Sequence, residues 1–125
     1  MSTQTLYERI GGDSAIERLL ANFYHRVYAD PELSPFFRHA DLGKLIRMQR
    51  LFFTVALGGP DEYTGRPIAT VHAGMGVRRR HFARFVEHMI ETLDDIGVGE
   101  ENAAEIITRI NTFADDIVGG HGLDG

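Results

Sequence analysis

His72 stands in the stretch IATVHAGMGV, among apolar residues and glycines, with no carboxylate or thiol beside it. An imidazole placed this way can be a general base, a metal ligand, or a structural side chain. General-base work needs a nucleophile to activate and a carboxylate to orient the ring, and no Ser/His/Asp arrangement is evident. Zinc needs about four ligands, and this neighbourhood offers one. His81 and His88 follow at spacings of nine and seven residues, neither of them a familiar metal-binding pair. A lone histidine on an apolar face is more often a satisfied core residue than a ligand. The alternative is a metal that brings its in-plane ligands with it, as iron does in porphyrin. Eight phenylalanines and many apolar helical faces would give such a flat disc its walls.

Two more polar residues occupy faces that should be apolar. Tyr24 lies four residues after Leu20 and eight after Ile16, so its ring points the way that stripe points. Gln49 lies four after Leu45 and four before Phe53, inside a second stripe. A buried amide or hydroxyl without a partner costs about 1–3 kcal/mol, so each needs one. Either the two bond each other or backbone, or both face a cavity that holds a polar guest.

The elements that position these residues read as helices from end to end. TLYERIGG is a short helix stopped by a glycine pair, after which Asp13 or Ser14 can cap a second helix. In that helix Ile16, Leu19, Leu20, Phe23 and Val27 form one apolar stripe. The prolines of ADPELSPFF end it. Asp41 caps a third helix carrying Leu42, Leu45, Phe52 and Phe53, which stops at LGGP. Residues 61–68 read as a loop, followed by a short apolar segment around His72. Two long helices are expected to close the chain, one from about Arg78 to Asp95 and one from about Glu100 to Val118. Phe82, Phe85, Met89 and Leu93 face inward on the first. Ala103, Ile106, Ile107, Ile110, Phe113, Ala114 and Ile117 do so on the second. No alternating strand pattern and no repeat occurs, so the fold class is all-α.

Composition narrows the function classes. A chain of 125 residues with 43% hydrophobic content makes one core, and the reading is a single domain over residues 1–125 with a mobile tail at 119–125. Eighteen acids against thirteen bases give no electrostatic grip on nucleic acid or an anionic membrane. The absence of cysteine excludes disulfides, thiolate zinc sites, cysteine nucleophiles and thioether-linked haem. With no long apolar run and no basic-then-apolar start, neither a membrane span nor a signal peptide is expected, and a cytoplasmic location follows as the default.

Five segments, LYERIGG, FYHRVYADPELSPFF, QRLFFTVALGGPDEYTG, VHAGMGV and HFARFVEHM, occur in an order and spacing that resembles the group I truncated haemoglobins from about residue 5 to residue 118. The resemblance implies a two-over-two helical sandwich around one haem b (iron protoporphyrin IX) per chain. It implies His72 as the proximal iron ligand, with Tyr24 and Gln49 facing a gas on the other side and Leu45 at the distal position. Phe37 matches the phenylalanine that wedges the ring, and Phe53, Val71, Met75, Val77, Phe82 and Phe85 resemble further pocket walls. Phe53 also matches a bulky position along an apolar tunnel to the iron. Met48 stands where relatives often carry a basic residue for a haem propionate, leaving Arg47, Arg78, Arg79 and Tyr63 as candidate substitutes. The lack of Trp separates the chain from one sister group, and Leu45 in place of His separates it from another.

What the resemblance implies in function is reversible binding of dioxygen, and of nitric oxide or carbon monoxide, at a five-coordinate ferrous haem. A second expectation is a nitric oxide dioxygenase that forms nitrate and leaves ferric iron. That activity would need an external reductase, because the chain has no nucleotide-binding glycine motif and no room for a flavin domain. A third reading, a cofactor-free helical interaction module, makes the Phe-rich faces plain core and His72 incidental. RRRHF, residues 78–82, reads as a solvated helix start, and His25, His39, His88 and His121 as surface residues.

Overall fold

Thr5 begins the ordered helical structure by a reciprocal cap. Its hydroxyl accepts from Glu8 N at 3.1 Å, and the Glu8 carboxylate accepts from Thr5 N at 2.9 Å, satisfying two amides that the first turn leaves free. The computed structural model describes residues 4–62, 64, 68, 72 and 75–118. Among them are α1 (Leu6–Ile10), α2 (Gly12–Ala29), a 3-10 turn (Ser34–Phe37), α3 (Leu42–Ala56), α4 (Arg79–Ile96), α5 (Glu100–Asn111) and α6 (Ala114–Ile117). Ile68 and His72 are also helical, and no strand occurs among the described residues. The expected tail at 119–125 lies outside them.

The junction of α1 and α2 is tighter than the sequence implies. Gly11 adopts φ 118°, a conformation that a side chain would oppose, and α2 starts at Gly12. Asp13 and Ser14 are therefore inside α2 and cap nothing. The stripe on α2 is buried as expected, with Ile16, Leu19, Phe23 and Val27 at 0% exposure. It packs chiefly on α4 and also on α3 and the 3-10 turn, while α1 packs on α2 and α5, and α4 on α5. Met89, Leu93 and Ile106 close the same core from the α4 and α5 side.

Asp41 caps α3 as expected, accepting from Lys44 N at 3.1 Å. Leu42, placed on the inward stripe by its spacing, is instead half exposed, because it borders an open groove between α2 and α3. At the other end Gly59 folds back on Thr54, where a Cβ would meet the Thr54 methyl at 2.6 Å and the Thr54 carbonyl at 2.9 Å.

The two closing helices differ from expectation in one respect. The run expected as a single helix over 100–118 is broken after Asn111. The Thr112 hydroxyl donates to Arg109 O at 2.6 Å, and the amides of Thr112 and Phe113 bond three residues back instead of four. The last turn is thus of the tighter 3-10 kind that often closes a helix. The break turns Phe113 onto Phe52, with ring centroids 5.1 Å apart. No helix among the described residues is long and apolar enough to cross a membrane.

Candidate functional site

Every helix but α1, and the 3-10 turn, contributes to one cavity of about 210 Å³. Tyr24 comes from α2, and Phe36, Phe37 and Ala40 from the turn that follows it. Leu45, Gln49, Phe52 and Phe53 come from α3, then Ile68, His72 and Met75, then Phe85 from α4. Ile110, Phe113 and Ile117 complete the wall. A smaller cavity of about 80 Å³ adjoins it, walled also by Leu33, Val77, His81 and Phe82. His72 borders both.

The imidazole of His72 is fixed on one edge. Its Nδ1 lies 2.9 Å from the carbonyl oxygen of Ile68. A carbonyl only accepts, so the proton is on Nδ1 and the lone pair on Nε2. A ring oriented in this way is prepared to donate Nε2 to a metal. Among the described residues no cluster of three or more His, Asp or Glu could hold an ion. The donor set is one imidazole within an apolar aromatic wall, which fits a planar macrocycle carrying its own in-plane nitrogens.

Tyr24 and Gln49 do not satisfy each other. Tyr24 is 4% exposed and its hydroxyl makes no hydrogen bond among the described residues, and the same holds for the half-buried Gln49 amide. Both border the cavity that His72 borders. Burial, and secondarily the neighbouring Tyr28, pushes the Tyr24 phenol far above its ordinary range, so it keeps its proton. Its ring is held edge-on by Phe23 and Phe37, at 5.1 and 5.9 Å.

The remaining expected residues separate cleanly. Phe37, Leu45, Phe53, Met75 and Phe85 line the larger cavity, and Val77 and Phe82 the smaller. Met48 is half-buried on α3 and lines neither. Tyr63 and Val71 lie outside the described residues. Sequence reasoning did not single out Phe36, Ala40, Phe52, Ile68, Ile110, Phe113 and Ile117 as walls. The inward spacing of the last three marks them as core, and that spacing is the available signal.

Two histidines are not where their sequence context implies. His81 is buried, and its Nδ1 accepts from Arg78 N at 3.0 Å, closing the start of α4. His88, expected at the surface, turns inward and places Nε2 2.7 Å from the buried carboxylate of Asp30. A wider groove of about 630 Å³ between α2 and α3 shares Tyr24 but not His72, so the cavity that brings Tyr24, Gln49 and His72 together is the candidate site.

Residues 5–119 match the bacterial-like globin family. A group 1 truncated haemoglobin from Mycolicibacterium paratuberculosis is 41% identical over 116 residues, covering 93% of this chain and 85% of that protein. The truncated haemoglobin from Tetrahymena pyriformis in its Fe(III) form has a TM-score of 0.88 at 33% identity, covering 93% of this chain and 99% of that one. The 2/2 haemoglobin from Synechococcus sp. PCC 7002, in the cyanomet state with covalently attached haem, has a TM-score of 0.87 at 29% identity, covering 92% and 98%. Sequence and architecture agree over more than nine-tenths of the chain: it belongs to the bacterial-like globin family, as a group 1 truncated haemoglobin with the two-over-two helical sandwich of that fold.

Proposed function

We propose that the protein, as a single domain, holds one haem b through Nε2 of His72 and binds dioxygen reversibly, with Tyr24 and Gln49 as the groups that grip the gas. Globin membership implies a haem cofactor and gaseous ligands such as dioxygen. The observation that carries the finer reading is a shared cavity: His72, Tyr24 and Gln49 all border it, and neither polar group is bonded elsewhere among the described residues. Haem supplies an iron with an open position for a diatomic gas. The chain supplies the rest. Phe37, Phe53 and Phe85 exclude water, and the phenol and amide donate hydrogen bonds that are stronger in a dry pocket than in water. Carbon monoxide accepts such bonds far less well than dioxygen, so the pair favours dioxygen.

The test is reconstitution of the purified chain with haemin, followed by optical spectra of the ferric, ferrous and gas-bound forms. A five-coordinate ferrous spectrum that converts to a stable oxygenated one is expected. A chain that acquires no Soret band would sink the proposal and return the reading to a helical interaction module.

Two donors in one cavity favour a second reading, since slow release suits an oxidant better than a carrier. In it nitric oxide and dioxygen are converted to nitrate, with one electron per turnover from an external reductase. Stopped-flow mixing of the oxygenated protein with nitric oxide separates the two, and slow or absent nitrate formation excludes the dioxygenase.

A further inference from the structure

Outside the cavity, one buried carboxylate joins three of the elements that wall it. Asp30 ends α2, and its side chain is 2% exposed. One oxygen accepts from Arg84 Nε at 2.9 Å and lies 2.7 Å from His88 Nε2, both on α4. The other accepts from Glu32 N at 2.8 Å. The Asp30 main-chain oxygen takes the amides of Leu33 and Ser34, at 3.1 and 2.8 Å, and so starts the 3-10 turn. The Arg84 guanidinium holds the carboxyl well below the usual carboxylate range, so Nε2 of His88 is the donor in their pair.

A row of rings joins the same three elements on the inner side. Phe37 of the turn meets Tyr24 of α2 at 5.9 Å, Tyr24 meets Phe23 at 5.1 Å, and Phe23 meets Phe85 of α4 at 4.6 Å. The Tyr24 hydroxyl has no hydrogen bond among the described residues to aim it. Its direction is set by these edge-on contacts, and they hold only while the three backbones keep their spacing.

We infer that Asp30 is a positioning residue for the gas pocket: its carboxylate clamps α2, the turn and α4, and through the Phe37–Tyr24–Phe23–Phe85 row it fixes the aim of the Tyr24 hydroxyl. The functional part of this inference rests on the proposed role of Tyr24. The clamp itself does not.

The experiment uses the carbon monoxide form of the holoprotein with fluorotyrosine incorporated, the Tyr24 resonance being assigned by its loss in Tyr24→Phe. Asp30→Asn and His88→Leu are expected to broaden or split that fluorine resonance. His88→Gln, which keeps a donor toward Asp30, should restore a single line. Oxygen dissociation should quicken roughly three- to tenfold in the first two variants, a partial loss of the hydrogen bond that Tyr24→Phe removes outright. A single unshifted Tyr24 line in Asp30→Asn or His88→Leu, with only a lower melting temperature, overturns the inference. His88→Leu still decides it should Asp30→Asn fail to fold. An unchanged oxygen off-rate in Tyr24→Phe, with the fluorine line still split in Asp30→Asn, removes Tyr24 from gas binding and leaves the clamp standing.

Discussion

Nδ1 of His72 donates to the main-chain oxygen of Ile68 at 2.9 Å, and that one bond leaves the lone pair on Nε2, the nitrogen proposed to meet the iron. Ile68 also lines the cavity, so the residue that orients the imidazole is part of the wall around it. Replacing His72 by Gly should abolish the five-coordinate ferrous spectrum and accelerate haem loss. The acceleration should exceed the roughly 10- to 100-fold effect of losing an outer partner of a metal ligand. Added imidazole should restore the spectrum, because the pocket walls are untouched. Haem transfer to a scavenger apoprotein measures the loss, and a variant that keeps its haem and its ferrous bands would show that another group binds the iron.

Tyr24 and Gln49 border one cavity, and in the proposed function both grip the same small guest. If each donates one hydrogen bond of about 1–1.5 kcal/mol, Tyr24→Phe and Gln49→Leu should each raise the oxygen off-rate by roughly 5- to 13-fold. The double variant should depart from the product of the two, because groups in one cavity couple. Carbon monoxide release should change much less. Burial keeps the phenol protonated, so the wild-type off-rate should stay flat as pH rises through the ordinary phenol range. Flash photolysis with ligand replacement reads all four proteins, and equal off-rates for wild type and Tyr24→Phe would remove the phenol from the site.

The all-α class, the glycine stop after α1 and the Asp41 cap were legible because each rests on chemistry within a few residues of chain. Tyr24 and Gln49 were legible as misfits, polar groups on apolar stripes. Which resolution applied was not, since that depends on the approach of α2 to α3. His88 was misread for a related reason: its inward turn is caused by Asp30, 58 residues away. The break at Thr112 was hidden too, because a tightening of the last turn leaves no mark in apolar periodicity. Pocket walls from the last helices looked like ordinary core, and spacing cannot distinguish a side chain that faces a neighbour from one that faces a ligand.

Asp30 gives the fold an acid-sensitive joint. Arg84 first, then His88 and the Glu32 amide, lower its carboxyl against the opposing effect of burial. A group whose folded value is depressed adds stability above its unfolded value near 3.9, and that stability is lost as pH falls toward the folded value. Breaking a buried ion pair costs about 3–5 kcal/mol, but Arg84 is 43% exposed, so solvent screening reduces the expected cost of Asp30→Asn to roughly 2 kcal/mol at neutral pH. The gap between wild type and variant should narrow below about pH 4, where the wild type alone gives up this contribution. Urea titrations at pH 7 and pH 3.5 measure it, and a gap that widens in acid would reverse the sign assigned to this carboxylate.

Thr92 lies one turn beyond His88 on α4, with 0% exposure and a hydroxyl that has no partner among the described residues. The Nδ1 of His88 is buried and unpartnered in the same way. A hydroxyl taken out of water without a bond costs about 1–3 kcal/mol, while helix propensity hardly separates Thr from Val. Thr92→Val replaces that hydroxyl by a methyl in the same branched shape, so stability should stay equal or rise by up to about 1 kcal/mol, the upper part of the gain being lost to tighter packing. The haem spectrum and oxygen kinetics should not move, since Thr92 borders neither cavity. A loss of more than about 1 kcal/mol by urea titration would mean that the hydroxyl is bonded in solution.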